Sequence, residues 1–210
     1  MIDWSHFAIF LTAALLLAIA PGPGMLYVLA RSLARGRREG LLSSLGTFVG
    51  GMVHVIAAAA GVSLILAKSA VAFSTVKFAG AAYLCFLGIR MIRDAWSEKS
   101  EMPVDIELPR SNPFRQGVLT EVLNPKTALF FLSFIPQFVN RDAGRIFWQF
   151  VMLGLISVTL NTLADVVVSL SAGPLGEKLR ASPKFRRRQR TATGAVMLGL
   201  GVYLATSKSS

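Results

Sequence analysis

Cysteine is nearly missing from this sequence: Cys85 is the only one in 210 residues, so neither a disulfide within the chain nor a dithiol redox pair can form. Histidine occurs twice, at His6 and His54, too few to make a metal cluster by themselves. There is no phosphate-binding glycine loop with Lys, no H-E-x-x-H and no G-x-S-x-G. Enzyme chemistry therefore has no motif to rest on, and neither catalytic residues nor a cofactor is expected. Acidic residues are scarce as well, 11 against 22 Lys and Arg.

What is present is apolar sequence. Hydrophobic residues make up 53% and charged residues 16%, with a mean hydropathy of +0.57. Too little polar sequence remains for a soluble protein to cover so much apolar surface. Read with a window of about 20 residues, the chain gives six expected transmembrane helices, at 7–30, 41–66, 71–89, 117–139, 146–172 and 191–206. The connections are short apart from 90–116 and 173–190, which leaves no room for a separate soluble domain. The fold class expected is an all-α membrane protein, one transmembrane domain over 1–210. Ala18-Ile19-Ala20 has the small-x-small look of a signal-peptidase site, but "MIDWSHF" carries no Lys or Arg and Pro21 follows the cleavage point at once. The stretch reads as a retained span.

Lys and Arg alternate from loop to loop. The first loop has Arg31, Arg35, Arg37 and Arg38; the third has Arg90, Arg93, Lys99, Arg110 and Arg115; the fifth has seven between Lys178 and Arg190. Those three loops hold 16, and the segments on the other side hold four. The positive-inside rule then places both termini on the periplasmic face of a bacterial inner membrane. The net charge of +11 needs no nucleic acid, because sorting and attraction to anionic lipid account for it.

The stretch 90–116 also carries five acidic residues and prolines at 103, 109 and 113. It reads as a cytoplasmic linker between a first half over 7–89 and a second over 117–206. Three helices in each half put the second half in the opposite orientation, the arithmetic of an inverted repeat. "GAAYLCFLGI" from Gly80 and "GAVMLGLGVY" from Gly194 match weakly. Helix breaks match better: "PGPG" over Pro21, Gly22, Pro23 and Gly24 in the first helix is echoed by Asn124, Pro125 and Lys126 in the fourth.

A proline in the hydrocarbon layer removes an amide donor, so the carbonyls of Leu17, Ile19 and Glu121 lose their helical partners. Asn124-Pro125 is also a helix-start pair, Asn at the N-cap and Pro at the first helical position. A helix that starts there, or at Pro23, offers free amides and a positive dipole end. Gly22 and Asn124 each stand about nine residues from a basic loop, so at ~1.5 Å per residue both breaks lie near the midplane of a ~30 Å core. Two such ends facing one point make an anion site.

The stretches "PGPGMLYVLARSLARGRREGLLSSLGTFVGGMVH" and "FRQGVLTEVLNPKTALFFLSFIPQF" resemble the two signature regions of the LysE/RhtB family of amino-acid exporters. The likeness spans nearly the whole chain. It implies an inner-membrane exporter of amino acids or related small zwitterions, an antiporter driven by the proton motive force, working on a small-molecule substrate with protons in a lipid bilayer, alone or as an oligomer. Relatives often carry Asn or Asp where this chain has Gly24, so any side-chain contact from that position is absent here. A metal-cation exporter of related architecture is the alternative, although it would be expected to show a strip of carboxylates or sulfurs at helical spacing.

Within the spans, ionisable groups are costly and usually face a cavity. Asp165 stands at the depth of the two breaks and is a candidate for a substrate ammonium or a proton, against a structural ion pair. Lys126 can meet a substrate carboxylate, or pair with Asp165 or Glu121. His54 reads as a hydrogen-bonded packing histidine more readily than a proton relay. Glu121 is a further proton or ammonium candidate, though it and Lys77 stand nearer the span ends, where side chains snorkel. Gly46-xxx-Gly50 reads as helix packing.

Overall fold

The computed structural model describes residues 4–68, 70–96, 111–140, 143–172 and 182–206, and helix dominates them, with no strand among these residues. In chain order the helices are α1 (Trp4–Ile19), α2 (Pro23–Arg35), α3 (Arg37–Lys68), α4 (Ala70–Ala95), α5 (Pro113–Val122), α6 (Pro125–Leu129), α7 (Ile146–Leu170) and α8 (Pro183–Thr206). Between α6 and α7 the chain makes a π-helical turn, Phe130–Phe134, and a 3-10 turn, Ile135–Phe138. Pro136 has no amide to donate, and the wide turn brings Ile135 N–H back to the Phe130 carbonyl instead.

Two stretches, Arg37–Gly61 and Ile146–Leu170, are each long and apolar enough to cross a membrane unaided. Two bent pairs qualify when each is taken as one crossing: Phe7–Ile19 with Pro23–Arg35, bent by 42°, and Pro113–Val122 with Pro125–Phe138, bent by 44°. The bends sit at the two proline breaks. In the first, Gly22 is extended (φ −126°, ψ −179°) before Pro23 restarts the helix. In the second, Asn124 is the N-cap and its side chain accepts from Lys126 N–H at 3.1 Å. Asn112-Pro113 starts α5 the same way, accepting from Phe114 and Arg115 amides. α4 and α8, 26 and 24 residues long, cover the sequence expected for the third and sixth spans but are not among these crossings, so two to four are found among the described residues where six were expected.

The expected boundaries shift in one consistent way. Basic residues assigned to loops sit on helix ends: Arg37 and Arg38 open α3, Arg90 and Arg93 close α4, and Lys184 to Arg190 lie on the first turns of α8. Helices run past the apolar stretch because a backbone in the headgroup region still satisfies itself best as a helix. About half of the linker and half of the fifth loop, 97–110 and 173–181, lie outside the described residues.

Packing relies on glycine where helices cross. A Cβ on Gly46 would come within 2.2 Å of the Phe114 carbonyl, and one on Gly50 within 2.7 Å of the Val118 carbonyl, so α3 and α5 meet backbone to backbone. α3 and α7 cross reciprocally, Gly51 receiving Val158 and Gly154 receiving Val55. Gly88 of α4 and Gly194 of α8 each lie against the other's carbonyl. The Arg187 guanidinium on α8 rests 3.1 Å from the Trp96 ring centroid. An aromatic core fills one side of the bundle: Phe134 stacks within 5.0 Å of both Phe130 and Phe138, and Phe10 of α1 packs 5.5 Å from Phe138.

Candidate functional site

Broken helices leave carbonyls without amides, and side chains fill them. The Lys126 ammonium donates to the carbonyls of Leu17 at 3.1 Å and Ala20 at 2.9 Å, closing the C-terminal end of α1 with a cation. His54 Nε2 lies 2.9 Å from the Glu121 carbonyl, which loses its helical donor to Pro125 and otherwise accepts from the Asn124 backbone N–H at 3.0 Å. Each break is thus completed by a side chain from another helix. Gly22 is small because the Lys126 stem lies across it, about 3.0 Å from where a Cβ would stand. A Cβ on Gly24 would be 2.3 Å from Glu121 Oε2, so that carboxylate rests on the first turn of α2, at its positive end.

Beside the breaks is a cavity of about 20 Å³, room for one water. Glu121, Asn124, Lys126 and Thr127 reach its wall from the second break. Thr47 reaches it from α3, and Asn161, Thr162 and Asp165 from α7. The rest is apolar, including Ala18 and Met25 on either side of the first break, with Phe131 and Val158. Glu121 accepts from the Thr127 hydroxyl at 2.6 Å and the Asn124 amide at 3.1 Å. Asp165 Oδ2 and Thr47 Oγ1 are hydrogen-bonded at 2.8 Å. Glu121, Lys126 and Asp165 are each less than a tenth exposed. Lys126 makes no ion pair within 4 Å among the described residues; both of its hydrogen bonds go to backbone carbonyls.

The expected site residues therefore divide. Asn124, Lys126, Glu121 and Asp165 come together at the cavity, whereas Pro21, Gly22, Pro23, Gly24, Pro125 and His54 do not reach its wall. Pro23 and Pro125 are exposed, shaping the breaks through their rings. Reading the sequence missed the side chains of Thr47, Thr127, Asn161 and Thr162. A signal existed for two of them, since Asn161, Thr162 and Asp165 are helically spaced polar residues in a span otherwise apolar around them.

Arg31 is a correction. Expected as a loop residue facing cytoplasm, it is fully buried. Its guanidinium meets Glu39 at 3.0 Å, the Tyr27 hydroxyl at 3.1 Å, both oxygens of Ser111, and Gln116 Oε1. Tyr27 donates in turn to the Pro113 carbonyl at 2.9 Å. A guanidinium has five N–H donors, and burial is tolerable only where such a ring of acceptors is supplied.

Broken membrane helices that gather charged groups of both signs round a buried cavity define a solute transporter. The family model for the LysE type translocator matches residues 15–208, and the chain belongs to that family; it is a multi-pass membrane transporter and not an enzyme. It is 32% identical to an uncharacterized membrane protein of Vibrio cholerae over 95% of this chain and 96% of the relative. It is 36% identical to one of Pseudomonas aeruginosa over 91% of each. A leucine efflux protein of Klebsiella pneumoniae is 29% identical, over 97% of this chain and 96% of the relative. No solved structure matches the chain.

Proposed function

We propose that this protein exports a neutral aliphatic amino acid, leucine or a close analogue, across the bacterial inner membrane in exchange for protons. The observation that carries the reading is the single cavity in which Lys126, Glu121 and Asp165 share a wall with Ala18, Met25, Phe131 and Val158. A zwitterion with an apolar side chain needs both kinds of surface. Glu121 suits its ammonium, with Asp165 beside it, and the Lys126 ammonium, with two of its three donors on carbonyls, keeps one N–H for its carboxylate. Relatives named leucine efflux proteins support the substrate class. A basic amino acid would bring a second cation against the apolar wall.

The cavity holds about one water, so this conformation is closed, and loading requires the two halves to separate round it. Six spans in a 3+3 inverted repeat, termini outward, are the architecture proposed. Support comes from the paired breaks, bent by 42° and 44°, and from reciprocal crossings: Gly51 and Val55 of α3 against Val158 and Gly154 of α7, and Gly88 against Gly194. A two-fold relation between halves produces such reciprocity. The test is to load cells with a dipeptide library and compare extracellular amino acids with and without the protein. Leucine or its aliphatic relatives should rise outside, and a protonophore should remove the difference. Export of a basic amino acid alone, or of none, would reject the reading.

A further inference from the structure

Two carboxylates share the cavity, and their hydrogen bonds are not equivalent. Glu121 receives one bond on each oxygen from separate donors, the Thr127 hydroxyl and the Asn124 amide. As an anion it is satisfied. Asp165 has a different partner. Thr47 Oγ1 lies 2.8 Å from Asp165 Oδ2 and also 2.9 Å from the Ser44 carbonyl. A hydroxyl carries one proton and a carbonyl can only accept. The Thr47 hydroxyl can donate to either acceptor; whenever it serves the Ser44 carbonyl, the contact to Asp165 needs a proton from the aspartate's own carboxyl. Asp165 Oδ1 accepts no hydrogen bond among the described residues, and the residue is only 6% exposed.

We propose that Asp165 carries the coupling proton of the transport cycle, held between its Oδ2 and Thr47 Oγ1, while Glu121 stays ionised for the substrate ammonium. This rests on the exporter reading of the same cavity. Thr47 is a positioning residue, acting through Asp165. In the step itself the Oδ2–H bond breaks, the proton passes to water on one side of the membrane, and the carboxylate remains. Nothing is oxidised or reduced. The Thr47 hydroxyl turns from Ser44 to donate to the new carboxylate, so neither state leaves Oδ2 bare. The other charged groups at the cavity are Glu121 at the end of α5 and Lys126 on α6; α1 and α2 present Ala18 and Met25 there, and α3 presents Thr47 and Gly51. Glu121 and Lys126 cancel in formal charge. An un-ionised Asp165 leaves the closed cavity neutral, and its deprotonation leaves one negative charge.

Infrared spectroscopy of the purified protein in lipid bilayers at neutral pH tests this without a substrate. The parent should show the carbonyl stretch of an un-ionised carboxyl. Asp165→Asn should lose that band, and its amide can still donate to Thr47, so the fold is retained. Should that variant fail to insert, Asp165→Glu should shift the band. Glu121→Gln should keep the band, Thr47→Val should move it to higher frequency, and Thr47→Ser should return it. A parent without the band, or a band that survives Asp165→Asn, overturns the proposal. Coupling is read by adding leucine with a pH dye in weak buffer: the parent should release a proton on binding and Asp165→Asn none. Leucine binding to the parent without proton release also overturns it. Leucine that does not bind the parent at all defeats the leucine reading instead, and the band still decides where the proton sits.

Discussion

Arg31 holds Ser111 by two oxygens, the carbonyl at 3.2 Å and the hydroxyl at 3.1 Å, across 80 residues of chain. The same guanidinium grips Glu39, so the polar ends of α2, α3 and α5 are tied through one fully buried cation. Removing a partner from a buried, hydrogen-bonded charge network costs about 3–5 kcal/mol. Arg31→Met should therefore lower the melting temperature of the detergent-purified protein sharply. Gln116→Leu, which removes one acceptor, should cost about 1–3 kcal/mol. An Arg31→Met protein that melts with the parent would show the network to be dispensable.

Gly24 faces a carboxylate rather than open space. A methyl group there would stand 2.3 Å from Glu121 Oε2, so Gly24→Ala must displace Glu121. Leucine efflux from loaded cells should fall at least about tenfold, about 1.4 kcal/mol, with insertion unchanged. Shortening the carboxylate in Gly24→Ala with Glu121→Asp should recover part of it. Gly61, which has nothing within 4 Å of its missing Cβ, is the control: Gly61→Ala should export normally and gain up to ~1 kcal/mol of helix propensity. Equal losses at both positions would mean that the effect at Gly24 is not local.

Lys126 closes the end of α1 as well as facing the cavity, so a neutral pair should not replace it. Were Lys126 and Asp165 a mere ion pair, Lys126→Met with Asp165→Leu would restore export. With two carbonyls left unsatisfied at the break, each worth about 1–3 kcal/mol when buried, the double variant should remain inactive. Efflux near the parent rate from that double variant would show that Lys126 neither binds substrate nor holds the break.

Orientation is checked by cysteine labelling. In a Cys85→Ser background, Ser5→Cys should react in intact cells with an impermeant thiol reagent and Ser182→Cys should not, following the excess of Lys and Arg in the first, third and fifth loops. The reverse pattern would invert the assigned topology.

The helix breaks were legible because proline and glycine act on their own neighbours, and both bends fall where "PGPG" and "NPK" stand. Of the three carbonyls expected to lose helical partners, those of Leu17 and Glu121 meet Lys126 and His54, whereas the second carbonyl that Lys126 takes is that of Ala20 rather than of Ile19. What the sequence withholds is who supplies those partners. Lys126 reaches Leu17 from 109 positions away and His54 reaches Glu121 from 67, separations that no local pattern encodes. Arg31 was misread for a related reason. Beside Arg35 and Arg37 it looks like one more positive-inside residue, and only the fold brings Glu39, Ser111 and Gln116 round it. Thr47 was hidden by its neighbours, since next to Gly46 it passes for another small residue at a helix crossing.

The lysine that completes the first helix break also sets an order of events during synthesis. α1 enters the bilayer early, but the group that satisfies its Leu17 and Ala20 carbonyls is made more than a hundred residues later. Until the fourth hydrophobic segment arrives, the broken end of α1 must keep water, lipid headgroups or the translocation machinery as its partner. A chain that stops short of Lys126 therefore leaves both of those carbonyls without the donor they have in the finished fold.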